Sequence, residues 1–238
     1  MVASRRAIAG LGDGLIGAPA FGWQLLDRLV KKSATVRAMS TGRRLTPRGE
    51  ERRAQLIAHA TRLFATKGYH SCSVADIVEG VGVGKGVFYW YFPSKEELFV
   101  EILMAAQTDM RRRQQREIAD LDDPLDRIAA GVRASVYWSA EHRDLFHLFE
   151  FAATDETFAD AVRIGRNTII SDVVRHLNAA IAGGRIPDRD PEKLAHAILG
   201  VSTLVTLEYV HHQGGPPEDV ADMVADFCLG GIGVSQPS

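Results

Sequence analysis

Apolar residues recur at helical spacing along most of the chain after residue 50. Between Glu51 and Lys67 they fall at i, i+1, i+4, i+7 and i+8, the pattern of one buried helix face: Leu56, Ile57, Ala60, Leu63 and Phe64. Similar patterns, separated by Gly, Pro and Asp, predict helices over about Ser94–Glu117, Pro124–Ala140, His142–Ala153, Asp155–Ala182, Asp190–His212 and Glu218–Leu229. Because no segment reads as a strand, the predicted fold class is all-α.

A different pattern occupies Ser73–Lys95, where two short helices flank a tight turn. Ser73 is a good N-cap, and Asp76 stands at the capping-box position. Gly82 suits the left-handed residue that a sharp turn needs after the first helix. The second helix is predicted from about residue 84 to 92, because Pro93 cannot continue it.

Five consecutive aromatic residues, 88–92, lie in this second helix, and no helix buries five consecutive side chains on one face. Phe88 and Phe92 are four residues apart and form the natural core pair. The residues that remain outside are Lys85, Gly86, Val87, Tyr89 and Trp90. In a helix-turn-helix, such a face lies in the DNA major groove. Two alternatives are a buried β-strand, since aromatic residues favour strands, and a helical hairpin that buries its aromatic residues in a dimer.

The run VGVGKGVFYWYFPSKEEL closely resembles the signature of the TetR-like one-component transcriptional regulators, with a dense match over about Arg52–Leu103. Gly84 and Val87 depart from it, because the family usually has Ser or Thr at both positions. The resemblance implies a dimeric, three-helix DNA-binding head on a larger helical domain, and most often a repressor that an effector releases from a palindromic operator.

The predicted organisation has three parts: an extension and basic arm (1–45), expected to be disordered, the helix-turn-helix head (46–93), and the effector-binding and dimerisation domain (94–238). Residues 1–38 are expected to be dispensable. The candidate DNA-binding residues are Arg43, Arg44, Ser73, Lys85, Gly86, Val87, Tyr89, Trp90, Tyr91 and Lys95. Among these, Ser73, the tyrosines and Lys95 are suited to phosphate oxygens.

Charge is distributed unevenly along the chain, although the total is only −2. Residues 43–95 carry nine Lys/Arg and four Asp/Glu, residues 1–42 carry a net +4, and residues 96–238 carry a net −11. This asymmetry is typical of a polyanion-binding head on a body that does not bind DNA. The polar run at 40–53 is either a solvated linker or an arm whose Arg43 and Arg44 follow the minor groove or the phosphates.

The sequence gives little support to catalysis. Its two cysteines, Cys72 and Cys228, have no metal-binding spacing, and the eight histidines form no recognised ligand pattern. No nucleophile elbow, phosphate loop or dinucleotide fingerprint is present, and no window approaches the roughly 18 apolar residues of a membrane span. We therefore expect a cytoplasmic protein that is not an enzyme and has no metal, cofactor or membrane partner.

Aromatic and polar residues in the middle helices suggest a small-molecule cavity, with Trp138, Phe146, Phe149, Arg163 and Asn167 as candidates. An ordinary helical core with solvated charges is the alternative. The acidic body slightly favours a neutral or cationic apolar effector, although Arg163 could reverse this locally. The arginine run 111–116 is interpreted as a solvated face. A second functional alternative is a DNA-bound protein of the same fold that binds a partner protein and no ligand.

Two apolar stripes near the C-terminus predict the dimer interface. One stripe lies on each of the last two helices: Leu194, Ile198, Val201 and Val205, then Val220, Met223, Val224 and Phe227. Two such stripes from each subunit would pack as a four-helix bundle, as the family resemblance also implies. The effector, the operator, the regulated genes and the choice between repressor and activator are not encoded in any pattern that we can read.

Overall fold

The computed structural model of the chain describes residues 45–233. Arg43, Arg44 and the extension at residues 1–38 therefore lie outside the described residues. Within 45–233 every regular element is a helix, so the predicted all-α fold class is confirmed.

The helix bounds follow the predicted pattern within a few residues. They are α1 Pro47–Lys67, α2 Val74–Val81, α3 Lys85–Tyr91, α4 Lys95–Ile118, α5 Pro124–Glu141, α6 Arg143–Thr154, α7 Ala159–Ala182, α8 Pro191–Val205 with a π-helical continuation Thr206–His212, and α9 Pro217–Ile232. The start of α1 is four residues earlier than predicted, since Pro47 is well suited to a first helical position. The start of α7 is four residues later, because the Asp155 carbonyl accepts from the Phe158 and Ala159 N–H groups in a turn.

The first of two apolar cores joins the three N-terminal helices to the middle of the chain. It contains the buried faces of α1–α3 and the first half of α4, together with Leu148 and Ala152 of α6 and Phe158. The Tyr69 ring lies at its centre, with ring centroids 4.8 Å from Phe99 and 4.9 Å from Phe158. The helix-turn-helix unit and α6 thus share one core.

The second core lies among α5, α7, α8 and α9. Its fully buried side chains include Val136 of α5, Leu177 of α7, Ala195 of α8 and Val224 of α9. Cys228 belongs to this core and Cys72 to the first, and both thiols are free. The second core holds together the helices that the sequence assigns to effector binding and dimerisation.

The continuous helix Pro191–His212 has the length and composition of a membrane span, although only a third of its most apolar window is buried within the protein. Its inner side packs on α5, α7 and α9. The apolar character of α8 therefore has two sources: residues that enter the second core, and others that remain on the surface.

His211, near the end of the π-helical turn, is buried although it is polar. Its Nε2 lies 2.7 Å from the Ser139 hydroxyl, and its ring stacks on Phe146 at 4.2 Å. The other ring nitrogen, Nδ1, is buried and has no hydrogen-bond partner. Burial, and then the nearby charge of Arg143, lowers the pKa of His211 to about 4. The imidazole is therefore neutral at physiological pH.

Acidification should destabilise the protein through His211. An unfolded histidine has a pKa near 6.5, so between about pH 6.5 and pH 4 the unfolded state binds the proton more tightly. The free energy of unfolding should be constant above this window and fall by roughly 1–2 kcal/mol from about pH 7 to pH 5. Urea titrations should show a smaller fall in His211→Gln, whereas the exposed-histidine control His196→Gln should behave as the parent. Equal falls in all three proteins would contradict this assignment.

Candidate nucleic-acid interface

The turn between α2 and α3 is fixed by three local devices. The Ser73 hydroxyl accepts from the Asp76 N–H at 3.2 Å, and the Asp76 carboxylate accepts from the Ser73 N–H at 2.7 Å, which completes the capping box. The Ser73 hydroxyl also donates to the Asp76 carboxylate, and this bond, followed by that of the Ser73 N–H, holds the pKa of Asp76 below its ordinary value. Gly82 ends α2 at φ +68°, and the Val83 N–H bonds to the Val78 carbonyl at 3.0 Å.

Helix α3 separates its aromatic residues as the pattern predicts. Phe88 and Phe92 are fully buried in the first core, whereas Tyr89 and Trp90 are 55% and 54% exposed. We call Lys85, Gly86, Val87, Tyr89 and Trp90 the outward face of α3; all five are exposed. The β-strand alternative is excluded, because residues 85–91 form a helix.

Three further residues singled out in the sequence lie in or next to α3 or at the start of α2. Gly84 occupies its N-cap, where no side chain bonds to the first turn, consistent with the missing Ser or Thr. Tyr91 is half-buried, and its ring meets that of Trp90 edge-on at 4.5 Å. Ser73 is exposed, with its hydroxyl engaged by Asp76.

Lys95 has an internal role that its sequence position did not indicate. Its ammonium donates to the Tyr69 carbonyl at 3.0 Å and the Cys72 carbonyl at 2.8 Å, and it lies 4.1 Å from the centroid of the Tyr69 ring. In the structure, Lys95 ties the α1–α2 loop to the start of α4. Its expected contact with a DNA phosphate stays a prediction.

Further contacts attach α4 to the head. The Tyr69 hydroxyl donates to Glu96 at 3.1 Å, and burial together with Glu96 raises the pKa of Tyr69. Arg53 of α1 pairs with Glu101 of α4 and also lies over the Phe92 ring, 5.1 Å from its centroid. The N-terminal end of α4 is therefore bonded to the helix-turn-helix.

The α1–α2 loop is also bonded to the turn before α7. His70 Nε2 lies 3.1 Å from the Asp155 carboxylate, which also accepts from the Thr157 N–H at 2.9 Å. These hydrogen bonds, that of Thr157 first, hold the pKa of Asp155 below its ordinary value.

The comparisons with known proteins agree with this geometry. The family model described as "Bacterial regulatory proteins, tetR family" matches residues 56–102, which span α2, α3 and most of the head contacts of α4. The head of this chain is TetR-like.

Curated relatives of this TetR-like chain carry the names of transcriptional regulators. It is 41% identical over 57 residues to the HTH-type transcriptional regulator EthR of Mycolicibacterium smegmatis, a match covering 24% of this chain and 26% of EthR. It is 29% identical over 190 residues to the HTH-type transcriptional repressor KstR2 of Mycobacterium tuberculosis, covering 76% of this chain and 92% of KstR2. The match to EthR thus spans about a quarter of that protein, whereas the match to KstR2 spans nearly all of KstR2.

Solved structures extend the likeness to the whole helical fold. A TetR-family regulator from Syntrophomonas wolfei superimposes with a TM-score of 0.69 at 21% identity, covering 79% of this chain and 99% of that one. The structure of the ketosteroid transcriptional regulator KstR2 of Mycobacterium tuberculosis gives 0.62 at 25% identity, covering 77% and 96%.

The five candidate effector residues do not surround one cavity in this TetR-like fold. The Trp138 indole N–H donates to Asp109 at 2.8 Å, and Phe146 stacks on His211. Phe149 packs against the first core. The other two candidates, Arg163 and Asn167, are exposed, and Arg163 pairs with Asp160 on the same helix. None of the five is among the residues that line the cavity between α4, α5, α7 and α8.

The structure instead contains a cavity of about 290 Å³ among α4, α5, α7 and α8. Its wall includes Arg111 and Gln114 from the run interpreted as a solvated face, and Ile198 from a predicted dimer stripe. Gly131 also lines it, and a Cβ atom there would meet nothing within 4 Å. The sequence signal that could have indicated this site is the row Arg111, Gln114, Gln115 and Ile118 along one side of α4.

The predicted dimer stripes divide between the core and the surface. Ile198, Val220 and Val224 are buried within the subunit, and Leu194, Val201 and Val205 are half-buried against the second core. Met223 and Phe227 are exposed, Phe227 by 62%. The outer side of α8 is marked instead by Leu204, which is 65% exposed. The predicted stripe on α8 therefore corresponds to the side of the helix that packs on the second core.

Replacing Lys95 should lower stability. Lys95→Met retains the aliphatic stem but leaves two loop carbonyls without their ammonium donor, so the unfolding free energy should fall by about 1–3 kcal/mol. The control is Lys85→Met on the exposed face of α3, which should change stability by no more than about 0.5 kcal/mol. Denaturant unfolding measures both. A parent-like Lys95→Met would show that the two hydrogen bonds do not hold the loop.

Proposed function

We propose that this TetR-like chain is a DNA-binding transcriptional regulator that acts as a homodimer on a palindromic operator. The observation that carries the proposal is the outward face of α3, which exposes Tyr89 and Trp90 while the same short helix buries Phe88 and Phe92. The names of its relatives, including the KstR2 repressor, support transcriptional regulation and favour repression.

The chemistry of the outward face of α3 suits a DNA groove. Lys85 brings a positive charge to the start of the helix, where a recognition helix meets base edges and phosphates. Val87 and the two exposed aromatic rings offer apolar contacts to thymine methyl groups. The net charge of +5 over residues 43–95 adds a sequence-independent attraction to the duplex. Arg43 and Arg44 remain candidates for an arm that follows the groove or phosphates.

A second copy of the chain is the proposed partner of α8 and α9. Leu204 on α8 and Met223 and Phe227 on α9 are large, exposed and apolar. Gly200 and Gly230 on the same helices have open space around them, which permits close approach of another backbone. Covering this surface with its two-fold copy would remove it from water and place two recognition helices on one DNA face.

The proposed domain roles follow from the two cores. Residues 46–93 bind DNA, and residues 94–238 bind an effector and dimerise. Helix α4 connects the roles, because its first turns are bonded to the head and its second half lines the cavity. An effector in the cavity would release the operator by favouring a different position of α4. The alternative is a factor of the same fold that binds a partner protein instead; the cavity favours the effector.

Trp90→Ala should weaken operator binding by about 1–3 kcal/mol, the magnitude of a specific base contact, without a comparable loss of stability. The operator would first be selected from fragmented genomic DNA and then titrated by fluorescence anisotropy. The control, Ile164→Ala, shortens an exposed apolar side chain on α7, outside the helix-turn-helix head. If Trp90→Ala binds the operator as tightly as the control does, α3 is not the recognition helix.

Phe227→Asp should convert the dimer to monomers, because it would bury a carboxylate in the proposed interface. Sedimentation velocity measures the change, and operator affinity should fall with it. Ile164→Asp introduces the same charge at an exposed apolar position on α7 and should remain dimeric. A Phe227→Asp protein that sediments as a dimer would place the interface elsewhere.

A further inference from the structure

We propose that the cavity among α4, α5, α7 and α8 binds an amphipathic anion, with its acidic head group held by arginine side chains and its hydrocarbon part packed on the apolar wall. The binding step stands on the cavity itself. Only its effect on DNA rests on the proposed function.

The charges in the cavity wall are predominantly positive. Asp172 is the one carboxylate among its lining residues, and two arginines share it: Arg111 at 2.6 and 3.1 Å, and Arg175 at 2.6 Å. Arg127 also lines the cavity, donates to the Leu121 carbonyl, and has no ion-pair partner in the part of the chain that the structure describes. Three arginines and one carboxylate therefore line the cavity.

The pKa of His176 is affected by the same positive charges. It lines the cavity, and burial, followed by the charges of Arg127 and Arg175, lowers its pKa; Asp172 opposes this more weakly. The neutral imidazole can donate or accept a hydrogen bond without adding a charge. An anion would meet guanidinium donors and no second carboxylate, whereas a cation would meet three like charges.

The rest of the wall suits a hydrocarbon group. Ile128 and Val132 from α5, Val173 from α7, and Ile198 and Leu199 from α8 line the cavity. The Gln114 amide is occupied by Ser135 Oγ at 2.7 Å and the Gly131 carbonyl at 3.3 Å. The volume of about 290 Å³ is slightly below that of typical small-molecule sites, which measure roughly 300–1,000 Å³. The ligand is therefore small.

The Arg111–Asp172 pair gives binding a route to α4. Arg111 belongs to α4 and Asp172 to α7, so their hydrogen bonds join the two helices across the cavity. An incoming anion competes with Asp172 for the Arg111 guanidinium, while Asp172 keeps its partner Arg175. Binding thereby replaces a contact between α4 and α7 with a contact between α4 and the ligand.

Ligand titration of the full chain tests the inference without DNA. The probes are hexanoate, octanoate and decanoate below their micelle concentrations, with 1-octanol and octylamine as neutral and cationic controls of matched length. Calorimetry should show saturable binding of a carboxylate at least about tenfold tighter than of octanol, the effect of one charge-assisted hydrogen bond. No saturable binding of any carboxylate, or equal or tighter binding of octanol or octylamine, would overturn the inference.

Three variants test the residues. Arg127→Gln should weaken carboxylate binding about tenfold and leave octanol binding unchanged, whereas Arg163→Gln, an exposed arginine outside the cavity, should change neither. Asp172→Asn removes the competitor for Arg111 and should tighten carboxylate binding several-fold, an effect that simple structural damage would not produce. Parent-like carboxylate binding by Arg127→Gln, or weaker binding by Asp172→Asn, would contradict the proposed head-group site.

The two proposals can fail separately. A chain that binds octanoate with the expected selectivity but selects no DNA fragment retains the anion site and loses the proposed function. A chain that binds its operator but no carboxylate retains the function and loses the anion site.

Discussion

The Tyr69 ring packs against Phe64, Phe99, Phe151 and Phe158, and the position of the DNA-binding head depends on this cluster. Its members come from α1, α4, α6 and the turn before α7, so one group of rings fixes three helices against the same loop. Edge-to-face and tilted ring pairs each contribute about 0.5–1.5 kcal/mol beyond the area that they bury. Polar groups of the loop form hydrogen bonds around the cluster. The Tyr69 hydroxyl donates to the Glu96 carboxylate, and the Lys95 ammonium donates to the Tyr69 and Cys72 carbonyls.

Local sequence rules were sufficient for the helices and the turn of the head. Capping residues, the left-handed Gly82 and the four-residue spacing of Phe88 and Phe92 act within one turn, so they can be read without tertiary information. The predicted dimer stripes show a limit of such local rules. Helix α8 is apolar on two sides, and the spacing of its apolar residues does not indicate which side is buried within the subunit. Ile198 fits the predicted stripe and is buried, whereas Leu204 lies outside the stripe and is exposed. The cavity needs side chains from four helices, so the row on α4 could indicate one wall but not the cavity itself.

The anionic effector that we propose differs in charge from the one expected from the sequence, for an electrostatic reason. A net charge of −11 over residues 96–238 favoured a neutral or cationic ligand, but that charge is spread over a surface screened within about 8 Å at physiological ionic strength. Inside the cavity the nearby guanidinium groups of Arg111, Arg127 and Arg175 dominate the single Asp172. Local arrangement therefore outweighs the net charge of the domain, and it could be recognised only after the helices were placed.

Helix α4 is uninterrupted from Lys95 to Ile118, and this continuity makes it a lever. Lys95 and Arg111 are separated by about 24 Å along the axis at 1.5 Å per residue. A rotation of about 8° around Arg111 would displace the head end by about 3.4 Å, which equals the rise of one base step in DNA. Under the proposed function, such a displacement would put a head out of phase with its half-site by a whole base pair.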